Sequence, residues 1–453
     1  MSQSMGASAV LPVGFTAALL SSREVGSEAW WRQLAVFGTP LVEALDASRV
    51  TATFFWRDPQ GDERHSQTVR VYADVNGVTD HHSIDPQSLT RLAATDVWYW
   101  SVVLEHDWRG SYSLIPVSAA QCPPRFSADA QQREQQQRAW WRAVSEAAIA
   151  DPLNRYQPWG AQLSLAQMPN ALPQPAWQAV DNAQSLAPDT SRLTTFIWHS
   201  QRLGNQRRVW LYTTGNSQEP AQRPLAILLD GQKWAVEKPV FAVLDAQTAA
   251  GVLPPAVWLL IDAIDMPTRS RELPCCAEFW LALQQELLVQ AAQITPFSDD
   301  PDRTVVAGQS YGGLAALYAG LNWPERFGRI LTQSGSFWWP EVRFITDFAK
   351  RNTLTPGQLI HQVRQGGRTA RPLVIFQEAG RREADIAFVN QQMRHALSAA
   401  GHRLYWREYA GGHDTLCWRG GLIDGLCWLL NDGASTLPAF LPHDLTPMNQ
   451  EQA

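Results

Sequence analysis

At 453 residues, with 45% hydrophobic and 18% charged side chains, the chain has a folded protein's composition and enough length for two domains rather than one core. Its formal net charge of −6 argues against nucleic acid as a partner, while leaving room for a local basic pocket. The five cysteines include no Cys-x-x-Cys, and adjacent Cys275 and Cys276 lack zinc spacing, so reduced thiols and no bound metal are expected, in keeping with the cytoplasm.

Residues 1–25 are small and polar without a period, and a disordered leader is expected there. The mildly apolar stretch 9–20 has no Lys or Arg before it, and Pro12 and Gly14 interrupt it. Neither a signal peptide nor a membrane span is therefore expected. A short helical region is expected over 26–45, opening with Trp30 and Trp31. From 49 to 116, runs rich in aromatic and β-branched residues (50–56, 67–73, 97–104, 112–115) recur between turn signals. That texture predicts a β-sandwich, assigned to 26–156. His81 and His82 have no third ligand at metal spacing, so a turn is expected there. A polar helix is expected over 131–150, then a Pro-, Gln- and Ala-rich surface linker over 157–190.

Beyond it strands alternate with helices. A hairpin (193–200 and 207–213) precedes the continuous apolar runs 225–229 and 257–261, the mark of strands buried on both faces. Helices are expected over 238–251, 276–293 and 384–400, and further strands just before Gly308 and over 329–332, 373–376 and 403–408. This order predicts an α/β sheet over 191–435 with its site at the carboxyl ends of the strands, followed by a tail over 436–453.

Within that sheet, Gly308-Gln-Ser310-Tyr-Gly312 stands between a β-branched run and an Ala/Leu-rich helix. This is the setting of a nucleophile elbow, in which a strained turn lifts the Ser hydroxyl above the sheet. Such a hydroxyl needs a base, and of ten histidines His413 follows the last strand, where an α/β-hydrolase carries it. The orienting acid should lie after the preceding strand. Glu378, Glu383 and Asp385 all qualify, and Glu383 is favoured. An oxyanion hole needs two backbone N–H groups, for which Tyr311 and Gln232 are placed. Arg269, Arg271, Arg303, Arg381, Arg382, Trp418 and Arg419 crowd the rim, with Trp338 beyond the elbow. With 21 Trp in the chain, composition alone puts some at any rim. Even so, Arg beside Trp suits a large, anionic, aromatic substrate.

Longer strings carry a resemblance. Leu228-Leu-Asp-Gly-Gln-Lys-Trp234, Gly308-Gln-Ser-Tyr-Gly-Gly313, Ser334-Gly-Ser-Phe-Trp-Trp339 and Gly411-Gly-His-Asp-Thr-Leu-Cys-Trp-Arg-Gly-Gly421 resemble the enterochelin (enterobactin) esterases. Phe55-Trp-Arg-Asp-Pro-Gln-Gly61 and Trp108-Arg-Gly-Ser-Tyr112 extend the likeness into the first domain. The resemblance implies a C-terminal α/β-hydrolase domain behind an Ig-like sandwich that helps cover a bulky substrate. It implies a cytoplasmic serine esterase that opens the trilactone of ferric enterobactin, a small catecholate siderophore, into dihydroxybenzoyl-serine units. Iron would enter only with that substrate, with no cofactor, membrane or nucleic-acid partner. Nucleophile and base fall on Ser310 and His413, Gly380-Arg-Arg-Glu383 supports Glu383, and Arg269 is the residue implied for the catecholate charge. The leader and the segment 340–371 depart from the family. An esterase for another siderophore or aryl ester, or a non-catalytic siderophore binder, would carry much of the same pattern.

Overall fold

The computed structural model describes residues 10–184, 187–238, 240–342, 357–366 and 370–431. In the first domain β1 (Leu41–Ala44), β2 (Arg49–Arg57) and β5 (Val97–Glu105) form one half of an antiparallel sheet, and β3 (Thr68–Val75), β6 (Arg109–Ser118) and β7 (Ser164–Gln167) the other. The short β4 (Ser88–Arg91) pairs with both β3 and β5 and joins the halves along one side. Side chains alternate across a strand, and Val50, Ala52, Phe54 and Trp56 of β2 share one core with Val71, Ala73 and Val75 of β3 and Tyr112 and Leu114 of β6. The result is a sandwich. Helix Ala130–Ser145 packs Trp141 and Val144 on the outer face, against Tyr72, Ile115 and Val117.

Three expectations change here. Within 1–25, residues 10–25 are structured: a helix Phe15–Leu20 buries Leu19 in a cluster with Trp30, Trp31 and Phe55, and Leu11 bridges to Glu43. Residues 1–9 lie outside the described residues. The region 26–45 divides into a helix, Glu28–Phe37, and strand β1; Gly38, at φ 69°, turns the chain between them. The stretch 157–190, expected as a linker, contributes β7 to the sandwich and then docks on the second domain. There Trp177 is fully buried and donates from its indole to the Arg419 carbonyl at 2.9 Å. A Pro- and Gln-rich segment with a few isolated anchors has no periodicity that would announce its burial.

The second domain is one eight-stranded sheet. Its strands are β8 (Leu193–Ser200), β9 (Asn205–Thr213), β10 (Leu225–Leu228), β11 (Val257–Ile261), β12 (Thr304–Gln309), β13 (Arg329–Gln333), β14 (Val374–Gly380) and β15 (Arg403–Tyr409). Their order is β15-β14-β13-β12-β10-β11-β9-β8, parallel from β15 through β11, with the β8–β9 hairpin antiparallel at one edge. One cluster of apolar side chains covers each face. As the buried runs predict, β10, β11, β12 and β13 are buried at every residue. The carboxyl ends of β12, β13 and β14 lie side by side, with Gln309 opposite Gln333 and Gln333 opposite Glu378. Among the described residues no helix is long and apolar enough to cross a membrane. The expected tail and most of the divergent 340–371 segment fall outside the described residues.

Candidate active site

At the end of β12 the chain turns into helix Tyr311–Asn322 through Ser310, held at φ 58° and ψ −120°. A residue with a side chain is strained there. The corner is also tight: a Cβ on Gly308 would lie 2.3 Å from the Gly312 carbonyl. Ser310 is pinned to the next loop on both sides, its N–H donating to the Gln333 carbonyl and its carbonyl accepting from Ser336 N–H, each at 3.0 Å. Its Oγ shares a hydrogen bond with Ser336 Oγ at 3.2 Å, and none joins it to His413. Tyr311 is the first helical residue, so its N–H has no acceptor within the helix.

His413 lies in the loop between β15 and helix Thr415–Leu430. Its Nδ1 is 2.9 Å from Glu383 Oε2. The Glu383 carboxylate is fully buried, and its Oε1 accepts from Gly380 N–H (2.9 Å), Ser334 Oγ (2.6 Å) and Tyr409 Oη (2.7 Å). Four donors, counting the imidazole, hold this carboxylate in one orientation. Burial pushes the Tyr409 phenol well above its ordinary range, with the Glu383 charge adding to the effect, so it stays a donor. Trp418 sets its indole edge-on to the His413 ring, 4.6 Å between centroids at 86°, and donates from Nε1 to Ser334 Oγ at 2.9 Å. Ser334 and Ser336, two apart after β13, thus tie the Glu383–His413 pair to the Ser310 corner.

Of the three acids considered, Glu383 alone reaches His413. Glu378 is fully buried one layer below, bonded to Gln333 Nε2 (2.5 Å) and to Arg407 Nε and Nη2 (2.8 and 2.6 Å). Asp385 opens helix Asp385–Ala399. Gln232 sits in the loop after β10, next to Gly231, whose backbone presses on the end of β11: a Cβ there would lie 2.4 Å from Ile261 N. The Gln232 amide oxygen accepts from Ala263 N–H at 3.1 Å, which fixes this loop to the one after β11.

The expected basic, aromatic rim is different in substance. Arg269 is buried and forks onto Asp230, Nε to Oδ1 at 2.6 Å and Nη2 to Oδ2 at 2.7 Å, with its guanidinium 5.7 Å from the Tyr311 ring centre. Arg419 is completely buried. It is forked onto Asp181 at 2.7 Å in both arms, bonded to Gln174 Oε1 at 2.7 Å, and layered on Trp159 and Trp177. Neither offers a free charge to a ligand. Arg381 and Arg382 pair with Asp107 and Glu105 of the first domain. Trp418 is used on His413 and Ser334. Trp338 is buried, with its ring 5.6 Å from Tyr311, so both tryptophans shape the floor rather than a solvent-facing rim. His402 is buried, its Nδ1 accepting from Leu373 N–H at 3.1 Å. Sequence reasoning gave no role to Ser334, Ser336, Tyr409 or Asp230. The two serines stood inside a quoted string and Tyr409 just ahead of Gly411, but only side-chain contacts disclose what they do.

Two family models match the chain: "Enterochelin esterase, N-terminal" over residues 51–177 and "Putative esterase" over 200–429. The iron(III) enterobactin esterase of Dickeya dadantii is 71% identical over 422 residues, 93% of this chain and 97% of that protein. This chain belongs to the enterochelin esterase family. Among solved structures, ferric enterobactin esterase of Salmonella typhimurium is 48% identical and superposes with a TM-score of 0.79, covering 90% of this chain and 99% of that one. A Shigella flexneri enterobactin esterase, crystallised in the presence of enterobactin, is 44% identical with a TM-score of 0.75 over 90% and 99% of the two chains. The two-domain order of an enterochelin esterase, sandwich first and α/β-hydrolase second, is therefore that of the solved relatives over nearly their whole length.

Proposed function

We propose that this enterochelin esterase family member hydrolyses the trilactone of ferric enterobactin, with Ser310 as nucleophile, His413 as base and Glu383 as the acid that orients it. The observation that carries the triad is the 2.9 Å Nδ1–Oε2 contact between His413 and a buried carboxylate already saturated by three other donors. A carboxylate held in this way fixes the imidazole tautomer with its proton on Nδ1, leaving Nε2 to accept a proton. The Ser310 hydroxyl then leaves Ser336 Oγ for His413 Nε2 as substrate binds; catalytic hydrogen bonds of this kind commonly tighten only in the complex.

With its proton passed to His413, Ser310 Oγ attacks a lactone carbonyl, and the oxyanion is received by the N–H groups of Tyr311 and Gln232. The alkoxide of the opened ring takes the proton back from His413, leaving an acyl-enzyme. Water, deprotonated by the same imidazole, releases a free carboxylate and restores Ser310. Iron is cargo of the substrate, and none of these steps passes through it. No cofactor is required, and the reaction is placed in the cytoplasm. The buried pairing of Arg269 and Arg419 supports assigning them to the architecture of the loops, not to the catecholate charge.

Incubating ferric enterobactin with the wild type, Ser310→Ala and His413→Ala, and resolving products by mass spectrometry, tests this reading. Linear trimer, dimer or monomer should form with the wild type alone. Equal turnover by Ser310→Ala would overturn the nucleophile, and intact cyclic siderophore in every tube would overturn the substrate.

A further inference from the structure

Every residue of the histidine loop, 410–414, rests on the first domain, all but His413 on its backbone. The Ala410 carbonyl accepts from Arg109 N–H at 2.9 Å, and Ala410 itself is buried in the sandwich core. Gly411 lies where a Cβ would fall 2.7 Å from the Arg109 carbonyl, which also accepts from Cys417 Sγ at 3.2 Å. Gly412 faces Gly77, in the turn after β3, so closely that a Cβ on Gly77 would be 2.9 Å from Gly412 Cα. The His413 carbonyl accepts from Asn76 Nδ2 at 3.2 Å. Asp414, which caps helix Thr415–Leu430 through Oδ1, accepts from Ser111 N–H at 2.5 Å through Oδ2. Arg382, next to Glu383, donates from its backbone to the Gly411 carbonyl and from its side chain to the Gly77 carbonyl.

We infer that the first domain sets the position of the catalytic base: Asn76 and Gly77 are positioning residues for His413, acting through the backbone of its loop. The inference rests on His413 being that base. A domain that only covered substrate would touch the rim with side chains. Here β6 and the β3–β4 turn serve the loop as neighbouring strands do, and glycine on both sides lets backbone meet backbone. Glu383 fixes the imidazole from one direction, and the first domain fixes the backbone that carries it from the other. A displacement of about 1 Å in a catalytic group is enough to cost about a hundredfold in rate, so the first domain contributes to the chemical step itself.

The test uses the full chain with Asn76→Ala, which removes one donor, and Gly77→Ala, which pushes on Gly412. His413→Ala serves as the reference. Both variants should fold as the wild type by circular dichroism, keep KM within about twofold, and lose about tenfold (Asn76→Ala) to about a hundredfold (Gly77→Ala) in kcat. The acid limb of their kcat/KM profile should also shift relative to wild type. Wild-type kcat in both variants, or a loss confined to KM with an unmoved pH profile, would overturn the positioning role while leaving the triad in place. If His413→Ala kept its activity, the base assignment itself would fall. Should Gly77→Ala fail to fold, Asn76→Ala decides alone, because its backbone conformation does not require glycine.

Discussion

Arg269 and Asp230 form two parallel hydrogen bonds of 2.6 and 2.7 Å in the buried floor beneath the loop after β10. Asp230 is held at φ 53°, a conformation that costs energy for a residue with a side chain, and it precedes the Gly231–Gln232 backbone proposed to receive the oxyanion. The guanidinium thus holds a strained turn in place. Arg269→Lys keeps the charge but loses the fork. It should cost about 3 kcal/mol in urea denaturation and lower kcat with little change in KM. A direct contact with the catecholates would give the opposite kinetic split, so steady-state kinetics separates the two roles.

Arg419→Met should be worse for stability than for chemistry. It strands the buried Asp181 carboxylate without a counter-charge, a change worth about 3–5 kcal/mol. Adding Asp181→Asn should recover part of that loss, since neither member then carries an uncompensated charge. Chemical denaturation of the two single variants and the double variant forms a complete cycle.

Tyr409→Phe removes one of the donors on Glu383 Oε1 and leaves the volume of the core unchanged. Hydrogen bonds to a charged acceptor are worth about 1.5–3 kcal/mol, so kcat should fall by about tenfold or more with KM retained. In the wild type the phenol, shifted up by burial, makes no contribution to alkaline loss of activity. A pH–rate profile of Tyr409→Phe with the same alkaline limb as wild type checks this.

Burial holds the pKa of His402 below its ordinary 6.5, and its Nδ1 accepts from a backbone N–H, a bond available only to the neutral ring. The unfolded chain therefore binds the proton more readily than the folded one. Stability should fall as pH drops below about 6.5 and level off below the folded value. Replacing His402 with Asn, which keeps an acceptor but does not titrate, should flatten that part of the curve of unfolding free energy against pH.

How much of this was visible beforehand depended on distance along the chain. The Ser310 elbow is written in six adjacent residues, and β10 and β11 in runs of apolar ones, so local pattern and structure agree. Chain order puts an acid between Ser310 and His413 but leaves Glu378, Glu383 and Asp385 open, and only the contact at His413 Nδ1 separates Glu383 from the other two. Arg419, by contrast, looks like a surface charge in any window, because its partner Asp181 stands 238 residues away. Arg269 misleads for the same reason, with Asp230 39 residues off. The segment 157–190 buries the four-residue strand β7 and, well beyond it, Trp177, a run too short and an anchor too isolated for period 2 or period 3.6 to report.

The buried Arg419–Asp181 pair bears on how the catalytic half can be handled in isolation. A designer seeking a minimal esterase would cut near residue 191, just ahead of the β8–β9 hairpin and well outside the sheet. That cut discards Asp181, Gln174, Trp159 and Trp177 together, so the Arg419 guanidinium loses both its counter-ion and the two rings that cover it. A fragment that keeps residues 170–190 retains the ion pair but still lacks the Asn76 and Gly77 supports of the His413 loop; one that begins at 191 also opens to water the face of helix Thr415–Leu430 on which Trp177 docks.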